Sequence, residues 1–101
     1  MTYLNSNQLK QYSDEGFVSP VNIFSKEKAK EIREEIELIE KKLPNELEKT
    51  GRYNAHLISP MLDEVTHNEN ILNAVESLIG GNILVCGTTL FIKNPGEDGF
   101  V

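Results

Sequence analysis

His56, Asp63, Glu64, His67 and Glu69 lie close together in the chain, and all five are residue types that bind metals. Asp63 and His67 are four apart on a predicted helix, so their side chains share a face. Two ligands do not complete a tetrahedral site, and neither a third ligand at fixed spacing nor a cysteine pair accompanies them. These spacings therefore assign no metal ligand. His67 reads as a cation near a helix C-terminus. His56, within Arg52-Tyr53-Asn54-Ala55-His56-Leu57, carries no local signature.

Nucleophilic chemistry fares no better. None of the serines Ser6, Ser13, Ser19, Ser25, Ser59 and Ser77 sits in a nucleophile-elbow context. The one cysteine, Cys86, falls on the predicted buried face of a strand, where a thiol is inert. Gly80-Gly81 and Pro95-Gly96-Glu97-Asp98-Gly99 are turn chemistry rather than phosphate loops, because no Gly-Lys-Ser/Thr follows and neither opens a helix after a strand.

Any site in this chain must be positioned by its elements, which the residue pattern outlines. Asn5 or Ser6 caps a short helix over about 7–15 that Gly16 ends. Phe17 to Phe24 alternates weakly and contains Pro20, which predicts an edge strand or extended arm. Ser25 caps a helix over about 26–43, terminated near Pro44, with Ala29, Ile32, Ile36, Ile39 and Leu43 as its apolar stripe. Asn45 to Tyr53 is polar and reads as a loop. Helices over about 60–66, with proline in the first turn, and 69–79, capped by Asn68, follow; Ile71, Leu72, Val75, Leu78 and Ile79 form the buried face of the second.

Ile83 to Lys93 then predicts a strand, being β-branched, aromatic and aliphatic without a 3.6-residue period. Leu84, Cys86, Thr88, Leu90 and Ile92 share one face, suited to packing beneath the helices. Val85, Gly87, Thr89, Phe91 and Lys93 share the other, whose mixture of small, hydroxyl and cationic groups suits a small-molecule pocket. Residue type alone favours the plainer reading, in which Thr89 is a strand former and Lys93 a solvated strand end. A turn at 95–99 leads into Phe100-Val101, so the pattern predicts a chain missing most of its sheet, with an open edge free to self-associate.

With 101 residues, 39% hydrophobic and 26% charged, the chain has the composition of one globular domain spanning 1–101. Its net charge of −6, with no basic cluster beyond Lys41-Lys42, argues against a nucleic-acid or anionic-membrane surface. No secretory signal or membrane span is visible, and the single cysteine agrees with a reducing compartment; the expected location is the cytoplasm.

The order of four segments carries a resemblance. Asp14-Glu15-Gly16-Phe17-Val18, the helix entry Phe24-Ser25-Lys26-Glu27, the run from Asn68 to Ile83 through Gly80-Gly81, and Leu90-Phe91-Ile92-Lys93-Asn94-Pro95-Gly96 resemble the N-terminal part of the phytanoyl-CoA dioxygenase family. The resemblance implies an α+β fold: N-terminal helices plus the first strands of a jelly-roll-like double-stranded β-helix. It also implies an iron(II)- and 2-oxoglutarate-dependent oxygenase that hydroxylates, or in some relatives halogenates, a small organic substrate. The family holds iron with His-x-Asp and a distal His, two imidazoles and a carboxylate on one face of the metal. No His-x-Asp occurs in these 101 residues, so the resemblance implies an inactive fragment that binds neither iron nor co-substrate tightly. Carried over by position, Thr89 matches a residue near the 2-oxoglutarate pocket, and Arg52 or His56 falls where some relatives supply a polar or cationic contact, Arg52 being the one taken as a co-substrate contact. The alternative is a small α+β interaction module that completes its sheet between copies.

Overall fold

The computed structural model describes residues 3–44, 53–91 and 94–96, and among these the regular structure is four α-helices and one 3-10 turn. They are α1 (Ser6–Glu15), α2 (Lys26–Lys42), the turn Ala55–Leu57, α3 (Pro60–Thr66) and α4 (Glu69–Ile79). Each helix begins where a short polar side chain answers otherwise unpaired N–H groups. Asn5 forms a capping box with Gln8, both bonds 2.9 Å. Ser25 accepts from Lys28 N–H at 3.1 Å, and Asn68 from Asn70 and Ile71. Gly16, at φ 83°, closes α1 in the left-handed region that glycine enters freely.

Ser59 caps α3 from inside the protein: it is only 2% exposed, accepts from Leu62 N–H at 3.3 Å, and precedes Pro60 at the first turn. Its removal strands a donor that water cannot reach. Ser59→Ala is expected to lower unfolding free energy by about 1–2 kcal/mol in a urea titration, whereas the same change at the exposed cap Ser25 should stay nearer 1 kcal/mol.

The helical stripes are narrower than their sequences predict. In α2, Ile39 is buried and Ile32 and Ile36 half-buried, but Ala29 and Leu43 are exposed. In α4 the buried residue is Ala74, while Ile79 is 61% exposed. Helix geometry explains the exchange, because 71, 74, 75 and 78 form one i, i+3, i+4, i+7 stripe with Ala74 at its middle, and Ile79 lies at its edge on the last turn. Ile39, Ala55 and Leu62 form the central cluster, with Ile32, Ile36 and Leu90 packed against it. α1 lies against α4, and Leu4, just before α1, is 1% exposed.

The double-stranded β-helix expectation is overturned. Among the described residues there is no β-strand; the single β-bridge joins Tyr53 and Thr89. A strand is defined by a partner that takes its backbone hydrogen bonds, and residues 82–88 and 90–91 belong to no ladder. Phe17 to Phe24 likewise forms no strand, because side chains satisfy part of its backbone instead. Gln11 accepts from Ser19 N–H at 3.3 Å, Tyr3 donates to the Asn22 carbonyl, and Asn70 donates to the Ile23 carbonyl at 3.0 Å. The described architecture is helical.

Candidate functional site

Residues 53–57 and 87–91 meet where the helices leave a polar seam, and Asn54 joins the two segments. It sits at φ 61°, ψ 42°, a left-handed conformation that asparagine tolerates better than most residues. That geometry lets its backbone N–H donate to the Thr88 carbonyl at 2.7 Å while its Oδ1 accepts from Thr88 N–H at 3.3 Å. One residue thus replaces a piece of missing strand. His56, half-buried on the 3-10 turn, places Nδ1 2.7 Å from Thr88 Oγ1. Ala55 between them is 1% exposed and belongs to the central cluster, so the polar contacts stand on a packed floor.

A side chain at Gly87 would displace the amide of this clamp. A Cβ at that position would stand 2.9 Å from Asn54 Oδ1, closer than carbon and oxygen pack, so the Asn54 amide would have to swing away from Thr88. Gly87→Ala is expected to cost about 1 kcal/mol, the net worth of one hydrogen bond, read as a shift in urea midpoint at constant slope.

The predicted two-faced strand survives only at its C-terminal end. Thr88 and Leu90 are half-buried while Thr89 and Phe91 are exposed, as alternation requires. Leu84, however, is 91% exposed and Cys86 is exposed, so neither packs beneath a helix as expected. Leu90 reaches the central cluster and the earlier residues of its face have no helix above them. Thr89 stands on the open side opposite Tyr53, with its predicted companion Gly87 two residues away. Arg52, Ile92 and Lys93 lie outside the described residues.

His67 caps α3 as a C-terminal residue; its Nδ1 lies 3.0 Å from the Asp63 carbonyl and 3.9 Å from the Asp63 carboxylate. The expected shared face of Asp63 and His67 is therefore real. Among the described residues no three His, Cys, Asp or Glu side chains converge as a metal site. Sequence reasoning missed Asn54 and Thr88. The available signal was the asparagine's tolerance of positive φ, which becomes informative only when its partner segment is known.

The described residues thus form helices that carry a hydroxyl-bearing segment, clamped on one side by Asn54 and His56 and exposed at Thr89 on the other. No protein-family model, curated protein or solved structure matches the chain. No helix among the described residues is long and apolar enough to cross a membrane.

Proposed function

We propose that this chain is the N-terminal, helical part of an iron(II)- and 2-oxoglutarate-dependent oxygenase of the phytanoyl-CoA dioxygenase type, acting on a small organic substrate in the cytoplasm. The observation that carries the reading is the one-sided anchoring of 87–91. Tyr53, Asn54 and His56 hold one side, and Thr89 faces outward beside Gly87, where a co-substrate can approach. The proposed substrate chemistry is hydroxylation, with halogenation the variant known among the relatives it resembles.

Each residue has a stated task. Thr89 donates a hydrogen bond from its hydroxyl to a 2-oxoglutarate carboxylate. Arg52, the chain neighbour of the residue that bridges Thr89, supplies the guanidinium for a charge-assisted contact. The described residues do not fit an iron site, so the proposal assigns the iron to residues outside these 101. Iron, once bound, would supply the oxidative decarboxylation of 2-oxoglutarate.

The test is to read the coding sequence past Val101 for His-x-Asp, express that longer product, and measure succinate formed from 2-oxoglutarate with iron(II). Turnover is expected, and Thr89→Val should raise the apparent KM for 2-oxoglutarate about ten-fold or more, since a hydrogen bond to a charged acceptor is worth about 1.5–3 kcal/mol. A longer product with no 2-oxoglutarate turnover removes the reading; an unchanged KM removes Thr89 from the site. The 101-residue chain alone should bind iron(II) no tighter than micromolar.

One observation favours a second reading, a self-associating interaction module: Leu84, Phe91 and Leu57 are 91%, 76% and 74% exposed. A defined dimer with a cooperative melt, and no turnover in any longer product, selects it.

A further inference from the structure

Thr88 and Thr89 are identical side chains on opposite sides of the chain, and a slip of one residue exchanges them. Their own chemistry cannot decide which turns inward, since either hydroxyl can meet His56. We infer that Asn54 and His56 are register-setting residues, which lock Thr88 inward and thereby present Thr89 on the open side.

The argument lies in what each slip would do. In the observed register, Asn54 exchanges two hydrogen bonds with Thr88, His56 meets the Thr88 hydroxyl, and Leu90 reaches the central cluster. Gly87 sits where a Cβ would lie 2.9 Å from Asn54 Oδ1. Slipping one way puts Thr88 into the glycine position, with its Cβ against that oxygen, and sends the larger Phe91 toward the place of Leu90. Slipping the other way puts Cys86 into the glycine position and leaves Gly87 facing His56 with no hydroxyl to offer. Gly87 is the one glycine between 82 and 91, so Gly87-Thr88 is the one dipeptide there that offers an empty Cβ position followed by a hydroxyl. Asn54 reads the first half of it and His56 the second. The register assignment stands on this geometry; only the use of Thr89 as a co-substrate contact rests on the oxygenase reading.

Disulfide trapping in the full 101-residue chain tests it. On a Cys86→Ser background, Tyr53→Cys is combined in turn with Thr88→Cys, Thr89→Cys or Leu90→Cys, and crosslink yield is measured after mild oxidation. Bridged residues across an antiparallel pair lie about 4.5–5.5 Å apart at Cα, within disulfide range. The 53–89 pair is expected to dominate. Adding Asn54→Ala with His56→Leu should reduce that dominance several-fold and raise the neighbouring pairs, and Asn54→Asp, which keeps an acceptor and tolerates positive φ, should restore it. A melt that falls while the 53–89 preference stays intact would show that the two residues only stabilise, and would overturn the proposal, as would a starting chain without the preference. Should the double variant lose its circular dichroism, Thr88→Val with the 53–89 pair is read instead: an undiminished yield overturns the role of His56. All of these readouts are independent of catalysis, so a failed register assignment and a failed oxygenase reading are separate results.

Discussion

Leu62→Ala is expected to cost about 2–4 kcal/mol, because the side chain is 8% exposed and α3 uses it to reach Ile39 of α2 and Ala55 of the 3-10 turn. For a chain of this size total stability starts near about 5 kcal/mol, so the variant should retain only about 1–3 kcal/mol and melt well below the parent. Leu84→Ala makes the matching control. The same chemical change at a residue 91% exposed should stay within about 0.5 kcal/mol. Urea titrations of the two variants decide the matter: equal losses would mean that the central cluster is not where the helices are held. If Leu84→Ala instead stabilised a dispersed monomer, its exposed side chain would be contributing to association, the second functional reading.

Asn54→Ala should be the most damaging polar substitution. It removes the acceptor for Thr88 N–H, worth about 1 kcal/mol, and forces alanine to hold φ 61°, which costs about 1–2 kcal/mol more. The expected total is about 2–3 kcal/mol. Asn54→Gly separates the two terms, since glycine adopts positive φ without a steric penalty and loses only the side-chain bond. A glycine variant nearly as stable as the parent, beside a damaged alanine variant, would place most of the cost in backbone conformation. Equal damage in both would place it in the amide. His56→Leu tests the adjoining contact by leaving Thr88 Oγ1, in a half-buried setting, without its 2.7 Å partner.

These two positions divide local from tertiary information. Helix ends were legible because a cap is local: Asn5, Ser25, Ser59 and Asn68 need only the N–H groups two or three residues ahead. The apolar stripes of α2 and α4 were legible in phase but not in width, because the period says which direction faces a core and not how much core is there. Ile79 and Leu43 follow the period yet remain 61% and 48% exposed. Segment 82–91 was read as a strand from its apolar, β-branched composition. Composition measures suitability for a pleated surface, whereas a strand exists only when a second segment takes its hydrogen bonds. Here the described partner is Tyr53 and Asn54, two residues supplying one bridge and one side-chain bond.

The alternation that puts Thr89 on the face opposite Thr88 and Leu90 was legible, and Thr89 is exposed where those two are half-buried. Caps, helical phases and the tandem threonine could be read from neighbouring residues alone. Which threonine turns inward, that Gly87 faces the Asn54 amide, and that His56 has Thr88 as its partner could be read only from the packed chain. The physical reason is sequence separation. The contacts that choose between Thr88 and Thr89 come from residues 32 and 34 positions away, and no propensity or spacing rule acting over a few residues can express them.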